Sequence, residues 1–208
     1  MAYRLPETKI ILASASSTRR TMFEKAGLEV EFMPAAVDEE SLKEAGRAEG
    51  MNGRDTATLI AEMKARKISD MAPDAFVIGS DQLLVCGDDW LSKPTTLDEA
   101  HQSLRLLSGK IHELVTAAVI YQHGKRIWHH IEAPKISIRT LDDDDISAYL
   151  SAMGSTALLT PGVYMMEGLG AQIITKVDGC PYAVLGLPLL QLLSFLRVHG
   201  LTRHEDEQ

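Results

Sequence analysis

A short polar segment near the N-terminus carries three serines and two arginines between a predicted strand and a predicted helix. Ser14, Ser16 and Ser17 precede Arg19 and Arg20. Hydroxyl groups, guanidinium groups and the free backbone N–H groups of a helix N-terminus can together bind a phosphate. Cations oppose the helix dipole at this end, and a bound polyanion would remove that conflict. The segment is equally compatible with a serine-rich helix cap followed by two solvated arginines.

Two acidic segments could bind a divalent cation. Asp81 follows the apolar run 75–78, and we expect this strand to break at residues 79–82, so that the carboxylate lies at a strand end. Such ends line the ligand crevices of α/β sheets. Asp38, Glu39 and Glu40 form a second acidic segment, which we interpret as a loop. Two converging carboxylates suit Mg²⁺, which completes its shell with waters and phosphate oxygens. Alternatively, Asp81 is a turn aspartate that caps local N–H groups.

Two lysines could add positive charge to a phosphate site. Lys64 lies in the sequence EMKARK and Lys93 in SKP. Taken singly, each is also typical of a solvated surface lysine. The two cysteines, Cys86 and Cys180, lack the spacing of a zinc site or of a disulfide framework.

Strands and helices alternate along the chain, which predicts an α/β fold. A strand over 9–13 leads into a helix that ends at Gly27, and Asp55 is predicted to cap a longer helix. Two β-rich runs between 114 and 139 surround a hairpin turn at His123 and Gly124. The other predicted elements are a strand at 29–34, a turn at 87–89, a helix between Thr96 and Gly109, a helix from 142–145 to Met153, a strand at 171–176 and a final helix from Pro188.

Length and composition predict one domain, with or without two lobes, and restrict the class of partner. The chain has 208 residues, 45% of them apolar, and a formal net charge of −8. This acidic balance argues against binding to nucleic acid or to anionic membranes. Residues 183–198 are too short and too polar to span a bilayer, and residues 1–14 lack the pattern of a signal peptide. We therefore expect a cytoplasmic protein.

Seven segments, in order along the chain, resemble the Maf family of nucleoside triphosphate pyrophosphatases. Any one segment would be weak support for the resemblance, but the seven occur in the family's order. Together they extend from about residue 9 to residue 198. The matching segments are ILASASSTRR at 11–20, VDEE at 37–40, AEMKAR at 61–66, IGSDQLLV and WLSKP within 78–94, EAHQSLRLLSGKIHELVTA at 99–117, GVYMMEGLGAQIITKVDG at 162–179 and VLGLPLLQLLSFL at 184–196.

The resemblance implies an α/β fold with a mixed twisted sheet, flanking helices and two lobes around a deep cleft. The whole chain, residues 1–208, would form this single Maf-like domain without a linker. The implied reaction is the hydrolysis of a nucleoside triphosphate to the monophosphate and pyrophosphate, with Mg²⁺ or Mn²⁺ as the cofactor. The implied assembly is a homodimer.

The family's functional residues carry over onto positions of this sequence. Asp81, Glu39 and Lys93 match catalytic positions, and Asp81 and Glu39 would also bind the metal. The positions that match substrate-binding residues are Ser14, Ser16, Arg19, Arg20 and Lys64, together with Thr18, Gln82 and Glu167, which are associated with the choice of base.

The base-selecting positions resemble the 7-methyl-GTP branch of the family. Branches for thymine and uracil tend to carry an amide at the position of Glu167 and an arginine at that of Thr18. A carboxylate only accepts hydrogen bonds, which suits the N1–H and exocyclic amine of guanine. Methylation at N7 makes the base cationic and adds attraction to Glu167.

Three other functions compete with this interpretation. The chain could hydrolyse dTTP or UTP within the same family. It could be a nucleotide-binding regulator of cell division without essential catalysis. It could also be a phosphomonoesterase or a kinase with the same anion site, although kinase and Walker signatures are missing.

Overall fold

The computed structural model describes residues 8–202 and has an α/β fold with a mixed sheet, which confirms the predicted class. The segments at 1–7 and 203–208, and with them half of residues 1–14 that lack a signal-peptide pattern, lie outside the described residues. The strands are β1 (Ile10–Leu12), β2 (Glu31–Phe32), β3 (Phe76–Cys86), β4 (Asp89–Leu91), β5 (Ile111–Gln122), β6 (Lys125–Glu132), β7 (Lys135–Ile138) and β8 (Ile174–Asp178). The helices are α1 (Ser17–Lys25), α2 (Glu39–Ala48), α3 (Gly53–Ser69), α4 (Leu97–Leu107), α5 (Asp143–Met153), α6 (Pro181–Val184) and α7 (Leu189–Val198).

The chain divides into two compact units, and β3 and β5 run through both of them. The first unit consists of the described residues up to Gln82, of Thr116–Glu132, and of the chain from Leu185 onward. Its strands follow the order β2-β1-β3-β5-β6, with β1 parallel to both β2 and β3. Its apolar core includes Leu12, Phe23 and Leu192, which are fully buried.

The second unit consists of Leu83–Val115 and Ala133–Val184. Its strands are antiparallel: β4 pairs with the end of β3, and β7 lies between β5 and β8. Helices α4 and α5 contribute Leu104 and Ile146 to a separate core. Each unit therefore buries its own apolar face.

Local signals predicted several elements correctly. The strand at 9–13, the helix that follows it and the hairpin between β5 and β6 are present. His123 and Gly124 both have positive φ, as a two-residue hairpin turn requires. The helix at Asp142 begins with a capping box in which Asp142 and Asp145 bond each other's backbone N–H groups.

Several predicted boundaries were wrong, and the strand predicted at 29–34 is limited to Glu31–Phe32. Asn52, not Asp55, caps α3, because its side-chain oxygen accepts the N–H groups of residues 54 and 55. Strand β3 continues unbroken through 79–82. The second β-rich run divides into β6 and β7 at Pro134, which has no N–H group to donate. The last strand starts at Ile174 instead of 171, because a 3₁₀ turn occupies Leu169–Gln172.

Among residues 8–202, no helix is both long enough and apolar enough to cross a membrane.

Candidate active site

Helix α3 lies directly against strand β3 at Gly79. A β-carbon on Gly79 would lie 2.1 Å from the carbonyl oxygen of Ala61 and 2.8 Å from the Ala65 methyl group. Only glycine permits this close approach, so Gly79 is a packing requirement and not the strand breaker that we expected. Ala61, Lys64 and Ala65 share one helix face, and Gly79 and Asp81 share one strand face. The contact therefore brings Lys64 to Asp81.

Lys64 lies between two carboxylates. Its Nζ is 2.7 Å from Oδ1 of Asp81 and 2.7 Å from Oε1 of Glu39. The side chains of Lys64 and Asp81 are only 6% and 4% exposed, whereas that of Glu39 is 44% exposed. The lysine is thus not the solvated surface residue that its sequence context allowed.

The two carboxylates have opposite pKa shifts. Burial raises the pKa of Asp81 above its usual value, although Lys64 counteracts part of this effect. Partial burial also acts to raise the pKa of Glu39, but the charge and hydrogen bond of Lys64 outweigh it, and the net pKa is lowered. Buried Asp81 is therefore the better proton acceptor of the two, and Glu39 stays ionised.

Asp81 Oδ2 is buried and has no hydrogen-bond partner among the described residues. A buried carboxylate oxygen without a partner is costly, and such a group in a native structure calls for an explanation. A water molecule, a substrate group or a metal ion would each supply the missing interaction. Because Glu39 is half exposed and shares Lys64 with Asp81, the two carboxylates fit a hard cation bound together with waters and phosphate oxygens. Within residues 8–202, no group of three or more His, Cys, Asp or Glu side chains is arranged to hold a metal.

Asp81 is not at the end of its strand. It is the sixth of the eleven residues of β3. The parallel partner β1, however, pairs only with Phe76–Ile78. Asp81 thus lies just beyond the parallel part of the sheet, and the predicted strand end is really the end of β1.

Glu39 belongs to a helix, whereas we expected a loop at this segment. It is the first residue of α2, which Asp38 caps by accepting the N–H group of Ser41 at 3.1 Å. Helix α2 lies so close to α3 that a β-carbon on Gly46 would be 2.7 Å from Oγ1 of Thr56. The interpretation as a loop was wrong although the segment carries local helix signals, namely the Asp38 cap, two glutamates in the first turn and Arg47 in the last turn.

The serine and arginine segment forms the N-terminus of α1, with Ser16 as the N-cap residue. Arg19 is 8% exposed, and its Nη1 donates to Oγ of Ser14 at 3.2 Å. Its Nε donates to the carbonyl oxygen of Gly186 at 2.7 Å, and the Ser80 hydroxyl contacts the same oxygen at 3.0 Å. Burial lowers the pKa of Arg19, while Asp81 and Glu39 act to raise it. The charge of Arg19 thus interacts favourably with the charges of both carboxylates.

Gly186 and Ser80 were missed as site residues. Gly186 has a φ of +96°, a backbone conformation that favours glycine, and it lies 167 positions from Arg19. Its place before Pro188 gave a turn signal, but nothing in the sequence linked that turn to Arg19.

The other predicted residues of the first unit have different surroundings. Arg20 is exposed and lies over the Phe32 ring, 4.3 Å from the ring centroid. Thr18 is exposed on α1. Gln82, on the strand face opposite to Asp81, donates from Nε2 to Oγ1 of Thr116 at 2.8 Å.

Lys93 and Glu167 belong to the second unit, and both are exposed. Lys93 follows β4, and Glu167 lies in a turn before the 3₁₀ segment Leu169–Gln172. The structure thus brings Ser14, Arg19, Glu39, Lys64 and Asp81 together within the first unit. The roles of Lys93 and Glu167 stay predictions.

Known proteins that are similar to this chain match it over almost its full length. A model of the family described as "Maf-like protein" matches residues 9–199. A nucleoside triphosphate pyrophosphatase from Granulibacter bethesdensis is 46% identical over 191 residues, which cover 92% of this chain and 97% of the relative. One from Rhodospirillum rubrum is 41% identical over 192 residues, covering 92% and 95%. A protein named 7-methyl-GTP pyrophosphatase, from Mesorhizobium japonicum, is also 41% identical over 192 residues, covering 92% and 96%.

Proposed function

The chain belongs to the Maf family and is a nucleoside triphosphate pyrophosphatase, and we propose that it hydrolyses 7-methyl-GTP with Mg²⁺ or Mn²⁺ as cofactor. The observation that supports a hydrolytic site best is the buried Lys64 ammonium group, which bridges Asp81 and Glu39 beside Arg19. Oδ2 of Asp81, which has no partner among the described residues, gives the site a proton acceptor.

The proposed reaction is attack of water on the α-phosphorus. The bond between the α-phosphorus and its bridging oxygen breaks, and pyrophosphate leaves. Asp81 accepts the proton of the attacking water at Oδ2, the carboxylate oxygen that has no partner among the described residues. Lys64 holds Oδ1 of the same carboxylate, so the other oxygen keeps a fixed direction. The Ser14–Arg19 segment supplies hydroxyl groups, helix N–H groups and a fixed cation for the phosphates.

Asp81 and Glu39 would hold the divalent cation, which neutralises phosphate charge when bound and lowers the pKa of water. Two carboxylates leave most of the shell to waters and phosphate oxygens, as Mg²⁺ prefers. A catalytic role for Lys93 and the homodimer rest on the family resemblance alone, and the cytoplasmic location stays an expectation from the sequence.

The choice of base is proposed from Glu167, Gln82 and Thr18. Relatives with the general name and with the 7-methyl-GTP name have similar identity to this chain, so overall similarity does not decide the substrate. The charge of Glu167 does favour one class, because a carboxylate can accept both donors of the guanine edge, whereas uracil presents one donor between acceptor oxygens. A dTTP or UTP pyrophosphatase is the competing assignment.

We expect kcat/KM for 7-methyl-GTP to exceed that for dTTP and UTP by roughly ten- to a hundredfold, as one mismatched polar contact costs about 1–3 kcal/mol. Glu167→Gln should remove most of this preference, since an amide presents a donor as well as an acceptor. The measurement is kcat/KM for 7-methyl-GTP, GTP, dTTP, UTP and CTP.

Glu113→Gln is the matched control. Glu113 is a partly exposed glutamate of the same unit, 3.8 Å from Nζ of Lys135. This variant loses the same charge and should keep the parental preference. A parental preference for dTTP or UTP, or a preference that Glu167→Gln leaves unchanged, would reject the assignment.

A further inference from the structure

The second unit contains a buried histidine–tyrosine pair that takes no part in the chemistry above. His112, on β5, is 1% exposed, and Tyr164 is 5% exposed. Nε2 of His112 lies 2.6 Å from the Tyr164 hydroxyl oxygen. Burial lowers the pKa of His112 to about 4, so the imidazole is neutral at physiological pH and the bond joins two neutral groups.

Next to this pair, the backbone adopts a conformation that a valine rarely takes. Val163 is fully buried and has a φ of +59°. A β-branched residue in the left-handed region is an outlier that costs about 1–3 kcal/mol, so surrounding contacts must hold it. The Tyr149 hydroxyl donates to the carbonyl oxygen of Val163 at 3.1 Å, and the Thr160 hydroxyl donates to that of Tyr164 at 2.9 Å.

Two glycines let the chain fold tightly around the Tyr164 ring. A β-carbon on Gly162 would lie 2.3 Å from that ring, and one on Gly170 would lie 2.5 Å from the Met165 carbonyl oxygen. The same carbonyl accepts the N–H group of Gly168 at 3.0 Å, which closes a turn around Glu167. An exposed carboxylate is thus carried by a turn whose base is buried, strained and held by three side-chain hydrogen bonds.

We propose that His112, Tyr149 and Tyr164 are positioning residues for the choice of base. They hold residues 160–170 in the strained turn and so fix the direction in which Glu167 is presented. The proposal rests on the base-reading role proposed for Glu167 and extends it to the buried residues that support its turn.

The physical reason is that discrimination between bases depends strongly on the position of the Glu167 carboxylate, whereas turnover depends on it much less. A carboxylate distinguishes two base edges only if it is held to within about 0.5 Å of the productive geometry. If the turn loosens, Glu167 samples several directions and its contacts with different bases become similar. Asp81, Lys64 and Glu39 belong to the first unit, and Lys93 lies outside residues 160–170, so turnover should change little.

The test compares Tyr164→Phe and Tyr149→Phe, which each remove one hydroxyl group. Tyr182→Phe is the matched control, because Tyr182 is an exposed tyrosine of the same unit. For each variant, kcat and KM are measured with the five nucleotides named above. We expect the ratio of kcat/KM between the parent's preferred and poorest nucleotide to fall about five- to tenfold, the equivalent of one buried hydrogen bond, mainly through KM of the preferred nucleotide. The control should keep the ratio. A uniform loss for all nucleotides, with an unchanged ratio, would indicate a merely structural role and overturn the proposal.

Hydrogen exchange of the backbone amides at 160–170 provides a readout that is independent of activity. Exchange should be faster in Tyr164→Phe and in Tyr149→Phe than in the parent, and unchanged exchange would count against the proposal. If one of these two variants fails to fold, the other still tests whether the tyrosine hydroxyl groups hold the turn at 160–170. Failure of the proposed function shows as a preference that is indifferent to Glu167→Gln. Failure of this inference shows as a Glu167-dependent preference that both tyrosine variants leave intact.

Discussion

Asp81→Asn is expected to lower kcat by about 10²-fold or more, because it removes the proton acceptor of the reaction. The Asp81 side chain is only 4% exposed, but asparagine has nearly the same shape, so the fold should survive the change. Steady-state kinetics with 7-methyl-GTP and Mg²⁺ measure the loss, and circular dichroism checks the fold. Chelation of the metal with EDTA should abolish turnover in the parent.

Asp74→Asn serves as the control. Asp74 has a side chain that is 96% exposed and belongs to the same unit, so its loss removes the same charge without touching the site. It should keep parental kinetics. Near-parental turnover of Asp81→Asn in the presence of EDTA would show that both the metal and the role of Asp81 are wrong.

Lys64→Met is expected to abolish activity and to destabilise the fold by about 3–5 kcal/mol at pH 8, the cost of a buried charge that has lost its partner. Asp81 would remain buried, and its pKa, already raised by burial, would rise further without the lysine. A folded-state pKa above the unfolded value means that the folded state binds the proton more tightly. The destabilisation therefore grows as pH rises above the unfolded value of about 4, and it diminishes as pH falls from 8.

Urea unfolding of the parent and the variant at pH 5.5 and pH 8 measures this difference. Arg66→Met, which removes an exposed charge from the same helix, should change stability by less than about 1 kcal/mol. The double variant Lys64→Met with Asp81→Asn should be more stable than Lys64→Met alone, because the unpaired buried charge is gone. A small loss of stability that does not depend on pH would contradict the burial of this ion pair.

The sequence predicted those elements whose signals are local. The hairpin turn at His123 and Gly124 and the capping box at Asp142 each depend on residues a few positions apart. Helix α2 also carried local signals, the Asp38 cap and an acidic first turn, which the interpretation as a loop overlooked. The continuity of β3 could not be predicted in this way, because Gly79 is required by a close approach to α3, a partner distant in the sequence.

The candidate site could be predicted in its residue types but not in its contacts. Nothing in the spacing showed that Lys64 would be buried against Asp81, 17 positions away, because that pair forms only when α3 lies on β3. Arg19 was interpreted as a phosphate ligand or a solvated cation, whereas its guanidinium is held by Gly186. The catalytic roles of these residues stay predictions until variants are assayed.

The most direct test of the reaction is product analysis in water enriched in ¹⁸O. The protein is incubated with 7-methyl-GTP and Mg²⁺, and the products are separated and examined by mass spectrometry. Attack on the α-phosphorus predicts the nucleoside monophosphate and pyrophosphate, with the ¹⁸O label in the monophosphate and none in the pyrophosphate. Release of orthophosphate with a nucleoside diphosphate, or label in the pyrophosphate, would contradict the mechanism centred on Asp81, Lys64 and Glu39.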